Sequence, residues 1–128
     1  MYKKIFALAF SIFTISYAFE DPIVDVVDIK IARNVVNREP VGVSDVFSKD
    51  IKKVYCWTKV KAFKYPTYIV HQWYYKGKLK ASVKLSIKSP VYRTWSSKKI
   101  YKGWTGKWRV VVKDEDGSVI ASKEFFVK

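Results

Sequence analysis

The stretch YKGKLKASVKLSIKSP, residues 75–90, decides the fold class. Leu79, Ala81, Val83, Leu85 and Ile87 alternate with Lys80, Ser82, Lys84, Ser86 and Lys88. Successive side chains of a strand point to opposite faces, so this pattern predicts one core face and one wet face. A helix would space its apolar residues three and four apart, which this stretch does not do. Gly77, between Lys76 and Lys78, marks a tight turn before the strand. Ser89-Pro90 ends it, because proline lacks the donor a sheet ladder needs.

The same period of two recurs on both sides. Ile23, Asp25, Val27, Ile29 and Ile31 fall on one face of a first strand, and Val54, Cys56, Thr58 and Val60 on one face of another. Tyr68 to Tyr75 is apolar and aromatic almost throughout. Val91 to Ser96 is a short further strand, and Lys107 to Lys113 alternates through Trp108, Val110 and Val112. Asp114-Glu115-Asp116-Gly117 reads as a hairpin turn before Val119 to Val127. About seven short antiparallel strands with turns between them predict an all-β domain, a single immunoglobulin-like β-sandwich, with a barrel as the alternative. Helix is limited to a turn near Val43 to Phe47. Arg33 to Ser48, with Pro40 and Gly42, reads as the one long connection, a kind of segment that is often functional.

The chain has 128 residues, so one domain is expected. A hydrophobic share of 49% and an aromatic share of 17% exclude disorder. Met1 to Glu20 opens with Lys3 and Lys4, runs apolar from Ile5 to Ile15, and presents Ser16-Tyr17-Ala18 as a cleavage motif. Residues 1–18 are thus expected to be a secretory signal peptide, and residues 19–128 the exported domain, periplasmic or extracellular. The run falls short of the ~20 apolar residues a membrane span requires, so no span is expected after cleavage. Cys56 is the only cysteine. The domain must therefore hold together by its core, with Cys56 as a small buried apolar residue.

The net charge is +14, and removal of Lys3 and Lys4 leaves +12. A field of that size attracts polyanions. In an exported protein an anionic glycan, an anionic lipid surface or an acidic envelope protein outranks nucleic acid as partner. The lysines are spread along the chain, as a solvated surface would also have them.

His71 is the only histidine, and it shares a strand face with Ile69, Trp73 and Tyr75. One histidine and one cysteine without a neighbouring carboxylate do not make a metal site. No cofactor motif is present, and no G-x-S-x-G or similar motif supports a catalytic triad. Arg93 shares a face with Val91 and Trp95, and such an arginine needs a carboxylate, backbone carbonyls or a ring. Trp57, Trp95 and Trp108 are expected to pack the core. Trp73, Tyr74 and Tyr75 are consecutive, so at least one ring must face outward. Trp104 lies in the glycine-flanked loop Lys102-Gly103-Trp104-Thr105-Gly106. The run Ser96-Ser97-Lys98-Lys99 carries hydroxyls and cations able to grip an anion.

Several blocks carry a resemblance: Arg38-Glu39-Pro40; Val54-Tyr55-Cys56-Trp57-Thr58; His71-Gln72-Trp73-Tyr74; Arg93-Thr94-Trp95-Ser96-Ser97-Lys98; Gly106-Lys107-Trp108-Arg109-Val110; Asp116-Gly117; and Phe125-Phe126-Val127. In this order they resemble the domain-of-unknown-function family 2914 of bacterial envelope and membrane-associated proteins, over roughly residues 29–128. The resemblance implies an extracytoplasmic β-rich domain and brings no established activity.

Two functions from different classes follow. The first is a non-catalytic binding module of the cell envelope, with a candidate surface of His71, Trp73, Arg93, Ser96, Ser97, Lys98 and Trp104. Its partner would be an anionic glycan or an envelope protein. The second is an envelope hydrolase using His71 with Ser96 or Ser97.

Overall fold

The computed structural model describes residues 22–128. The expected signal peptide and its cleavage site after Ala18 lie outside the described residues. Nine strands follow in order: β1 (Val24–Val36), β2 (Glu39–Val43), β3 (Val46–Phe47), β4 (Lys53–Ala62), β5 (Thr67–Tyr75), β6 (Lys78–Ile87), β7 (Val91–Lys99), β8 (Gly106–Lys113) and β9 (Val119–Val127). They form two sheets, ordered β2-β1-β4-β7 and β3-β9-β8-β5-β6. All pairings are antiparallel except the short parallel contact of β3 with β9. The domain is an all-β sandwich of immunoglobulin-like kind, as the alternation predicts. No helix among the described residues is long and apolar enough to cross a membrane.

The core lies between the sheets in two adjoining clusters. One gathers Ile31, Val54, Cys56, Trp73, Trp108, Val110 and Phe125. The other gathers Val24, Val60, Ile69, Ile87 and Val112. Phe125 meets Trp73 edge-on at 6.1 Å and stacks on Trp108 at 5.9 Å. Offset and edge-to-face packing suits the ring quadrupoles and gives a disulfide-free domain large buried areas.

Four expectations need correction. The connection from Arg33 to Ser48 is not a long loop, and Val43 to Phe47 holds no helical turn. β1 runs on to Val36 and folds back as β2 through Asn37 and Arg38, whose φ values are 52° and 67°. Positive φ at both central residues makes a tight hairpin whose twist matches its strands.

The first strand does not alternate as expected either. A bulge at Val27, between Val26 and Asp28, reverses the parity, so Val24, Val26, Ile29 and Ile31 face the core while Val27 is exposed. A bulge also interrupts β6. Trp73 pairs with Ala81 but Tyr74 pairs with Leu79, leaving Lys80 as the extra residue. Leu79 therefore joins the outer face with Tyr74 and is 50% exposed. Ala81, Val83 and Leu85 keep the inward face of this edge strand half-buried, and Ile87 is fully buried.

Candidate functional site

The candidate residues fall into three places. The first lies between the sheets. β5 turns Ile69, His71 and Trp73 inward, and β7 turns Ser96 inward opposite Cys56 of β4. Thr58 Oγ1 donates to the Thr94 carbonyl at 2.9 Å. Its hydrogen is thereby committed, so it accepts from His71 Nε2 at 3.3 Å. His71 Nδ1 then accepts the Ser96 hydroxyl at 2.7 Å, and Ser96 Oγ accepts Trp73 Nε1–H at 3.0 Å. Each donor in this chain meets one acceptor, as buried polar groups require. Burial lowers the histidine pKa to about 3 and holds the ring neutral. His71 and Trp73 are fully buried and Ser96 is 6% exposed, so these three leave the expected binding surface. The burial of Cys56 is as expected, and desolvation pushes its thiol well above the usual range.

The second place is the outer face of the four-stranded sheet. Trp57 and Trp95 are cross-strand partners there, and so are Lys59 and Arg93. The β1–β2 hairpin curls over them. The Arg38 carbonyl accepts Trp57 Nε1–H at 2.9 Å, and Arg38 Nη2 donates to the Arg93 carbonyl at 3.1 Å. The Arg38 guanidinium lies 5.8 Å from the Trp95 ring centroid. Arg93 binds the Glu39 carboxylate, the kind of partner its position demands. Its charge is thus committed to holding the hairpin. Trp95 is half-buried beneath Arg38 instead of filling the core, and Trp57 is buried by the hairpin instead of the opposite sheet. Ser97 is exposed on this face opposite Tyr55.

The third place is the end of the sandwich where β5 and β7 finish and β8 begins. The β7–β8 loop turns through Gly103 and Gly106, at φ 90° and 115°. It is tied down by Tyr75 Oη donating to Thr105 O at 2.6 Å and Trp108 Nε1 donating to Trp104 O at 3.2 Å. Trp104 stacks on Tyr75 at 5.7 Å and meets Tyr101 edge-on at 5.0 Å. Two ammonium groups approach its ring, Lys80 at 5.2 Å and Lys98 at 5.3 Å from the centroid. Lys98 is also 5.6 Å from the Tyr101 centroid. Partial burial, with Lys80 and Lys99 nearby, lowers its proton affinity. Neither Lys80 nor Lys98 has an ion-pair partner among the described residues. Trp104 is itself half-buried under these neighbours, while Tyr101 is exposed, so the group can offer positive charge without an ion-pair partner beside an open tyrosine ring.

Of the seven candidates, then, the fold brings Lys98 and Trp104 together. Arg93 and Ser97 lie on a different face, and His71, Trp73 and Ser96 are inside. Lys80, Tyr75 and Tyr101 were missed. Tyr101 was visible as an aromatic beside the glycine loop. Lys80 was concealed by the bulge, which turns it from the regular wet face toward Trp104.

A family model described as a protein of unknown function, DUF2914, matches residues 66–127. The match takes in β5 to β9 and the whole Trp104 group, but not Thr58, Trp57 or the β1–β2 hairpin, and is narrower than the span over which the resemblance was read. No curated protein matches. Among solved structures, the chain is similar to the CARDB domain of the PF1109 protein from Pyrococcus furiosus, determined in complex with di-metal ions. The identity is 19%, over 87% of this chain and 97% of that one, with a TM-score of 0.50. That likeness concerns the fold alone. Among the described residues, no three His, Cys, Asp or Glu side chains converge as a metal site would need.

Proposed function

We propose, for a chain whose residues 66–127 fall in the DUF2914 family, a non-catalytic binding module of the bacterial cell envelope that holds an anionic glycan. One observation carries this reading: two ammonium groups with no ion-pair partner among the described residues, Lys80 and Lys98, flank the Trp104 ring at 5.2 and 5.3 Å. The acid group of a sugar pairs with an ammonium, and its C–H face packs against the exposed Tyr101 ring beside Trp104. Each charge-assisted contact contributes about 1.5–3 kcal/mol. The fold keeps two like charges close together, which an anion would relieve. The signal-peptide motif supports export, which puts an envelope glycan ahead of nucleic acid.

The test is titration of the exported chain with polygalacturonate and with uncharged dextran, alongside Lys98→Ala and Trp104→Ala. Binding to polygalacturonate alone is expected, weakened by salt and reduced about tenfold by each substitution, or ~1.4 kcal/mol. Folded variants binding as well as the parent would remove the site.

A second reading, an envelope hydrolase, is favoured by one contact, the 2.7 Å hydrogen bond from Ser96 to His71. Against it, the third member of the chain is the Thr58 hydroxyl and not a carboxylate, and the low pKa of His71 makes a weak base. A fluorophosphonate probe is expected to leave Ser96 unlabelled. Stoichiometric labelling of Ser96 would reverse the preference.

A further inference from the structure

A cleft of about 510 Å³ opens beside the Trp104 platform, between residues 49–53 and 99–102. Five lysines line it, Lys49, Lys52, Lys53, Lys99 and Lys102, against one carboxylate, Asp50. None of the five has an ion-pair partner among the described residues. We propose that this cleft is a second anion subsite, and that the ligand is a polyanionic glycan whose successive acid groups occupy cleft and platform together. The proposal rests on the platform reading above and names its substrate class more narrowly.

The register shows why the cleft is more than a lysine-rich surface. Lys53 and Lys99 sit directly opposite each other at the end of the β4–β7 ladder. Like charges in that relation destabilise a sheet. Elsewhere the chain relieves its facing cations. Lys59 faces Arg93, and Arg93 is taken by Glu39. On the five-stranded sheet, Arg109 faces Glu124, which also binds Lys107. At the Lys53–Lys99 pair no carboxylate forms an ion pair among the described residues, and Asp50 is the single acid against five lysines, so an anionic ligand would relieve the excess. The backbone there is set by Ile100 N–H donating to the Lys52 carbonyl at 3.0 Å.

Cleft and platform share a wall. Tyr101 lines the cleft, and its ring meets both Trp104 and Lys98. Lys98 and Lys99 are consecutive on β7, so one strand end sends an ammonium to each subsite. The lowered proton affinity of Lys98, caused partly by Lys99, agrees with charge coupling across that wall. A ligand with one acid group fills one subsite. A chain bearing one on each unit straddles Tyr101 and fills both, and its second contact forms at a raised effective concentration.

The experiment is calorimetric titration of the exported chain with galacturonic acid and with its oligomers of increasing length. Parallel runs use the double variant Lys53→Ala/Lys99→Ala, the single variant Lys99→Gln, and vesicles of an anionic phospholipid. Affinity is expected to rise at least tenfold from monomer to the longer oligomers. The double variant should lose that rise, keep monomer binding, and unfold at an unchanged or higher temperature, because a repulsion has been removed. Lys99→Gln should lose part of the rise. Length-independent affinity, or a double variant that binds long oligomers like the parent, overturns the second subsite while platform binding stands. Absence of binding at every length overturns both readings. Binding to vesicles but to no soluble oligomer overturns the glycan in favour of a lipid surface.

Discussion

His71 shows how one residue can be read correctly for its face and wrongly for its role. The alternation of Ile69, His71, Trp73 and Tyr75 puts it on a common face, and the structure agrees. What the local sequence does not contain is Ser96, 25 positions later, which gives both the imidazole and the Trp73 indole a partner. With that partner the histidine is a satisfied core group. A neutral buried ring has a defined cost in acid. Its folded pKa is near 3, below the ordinary 6.5, so beneath 6.5 the unfolded chain binds a proton that the folded chain refuses. The stability it contributes is fully present above pH 6.5 and is lost as pH falls toward 3. By pH 5 that loss should reach about 2 kcal/mol. Urea midpoints from pH 7 to 5 should fall for the parent and stay flatter for His71→Gln. Parallel curves would mean that His71 titrates as a solvated group.

The β1–β2 hairpin is the element on which sequence and structure differ most. Pro40 and Gly42 within Arg33 to Ser48 suggested a loop, because both residues interrupt strands. Pro40 is tolerated on an edge strand, and Asn37 and Arg38 supply the turn. The hairpin is held mainly by ring burial. The Glu39 and Arg93 side chains are 55% and 38% exposed, and exposed pairs contribute about 0–1 kcal/mol. Trp57 is 3% exposed beneath the hairpin, and removing such a ring costs about 3–5 kcal/mol. Chemical denaturation of Glu39→Ala and Trp57→Ala should show that ranking. Equal losses would make the ion pair the principal clasp. The two bulges teach a related lesson, since one inserted residue exchanges the faces of a strand while leaving its composition unchanged. At β6 that exchange exposes Leu79 and delivers Lys80 to Trp104.

At the scale of the whole molecule, the charge that looks uniform along the chain is gathered by the topology. Lys49, Lys52, Lys53, Lys98, Lys99 and Lys102 come from two segments well apart in sequence, and the sandwich brings them to one end. Asp114, Glu115 and Asp116 occupy the turn after β8, at the opposite end. That end therefore carries a local concentration of positive charge, which favours capture of an anion there. The amino-acid sequence by itself determined the class of the fold, the buried thiol, and most core positions on β4, β5 and β8. These follow from period two and side-chain chemistry, which are local. Only the tertiary structure decided the partner of His71, the folded-over hairpin, the parity of two strands and the meeting of Lys80 with Lys98. Each depends on contacts between strands distant in the chain or on a bulge, and neither leaves a mark in the local pattern of residues.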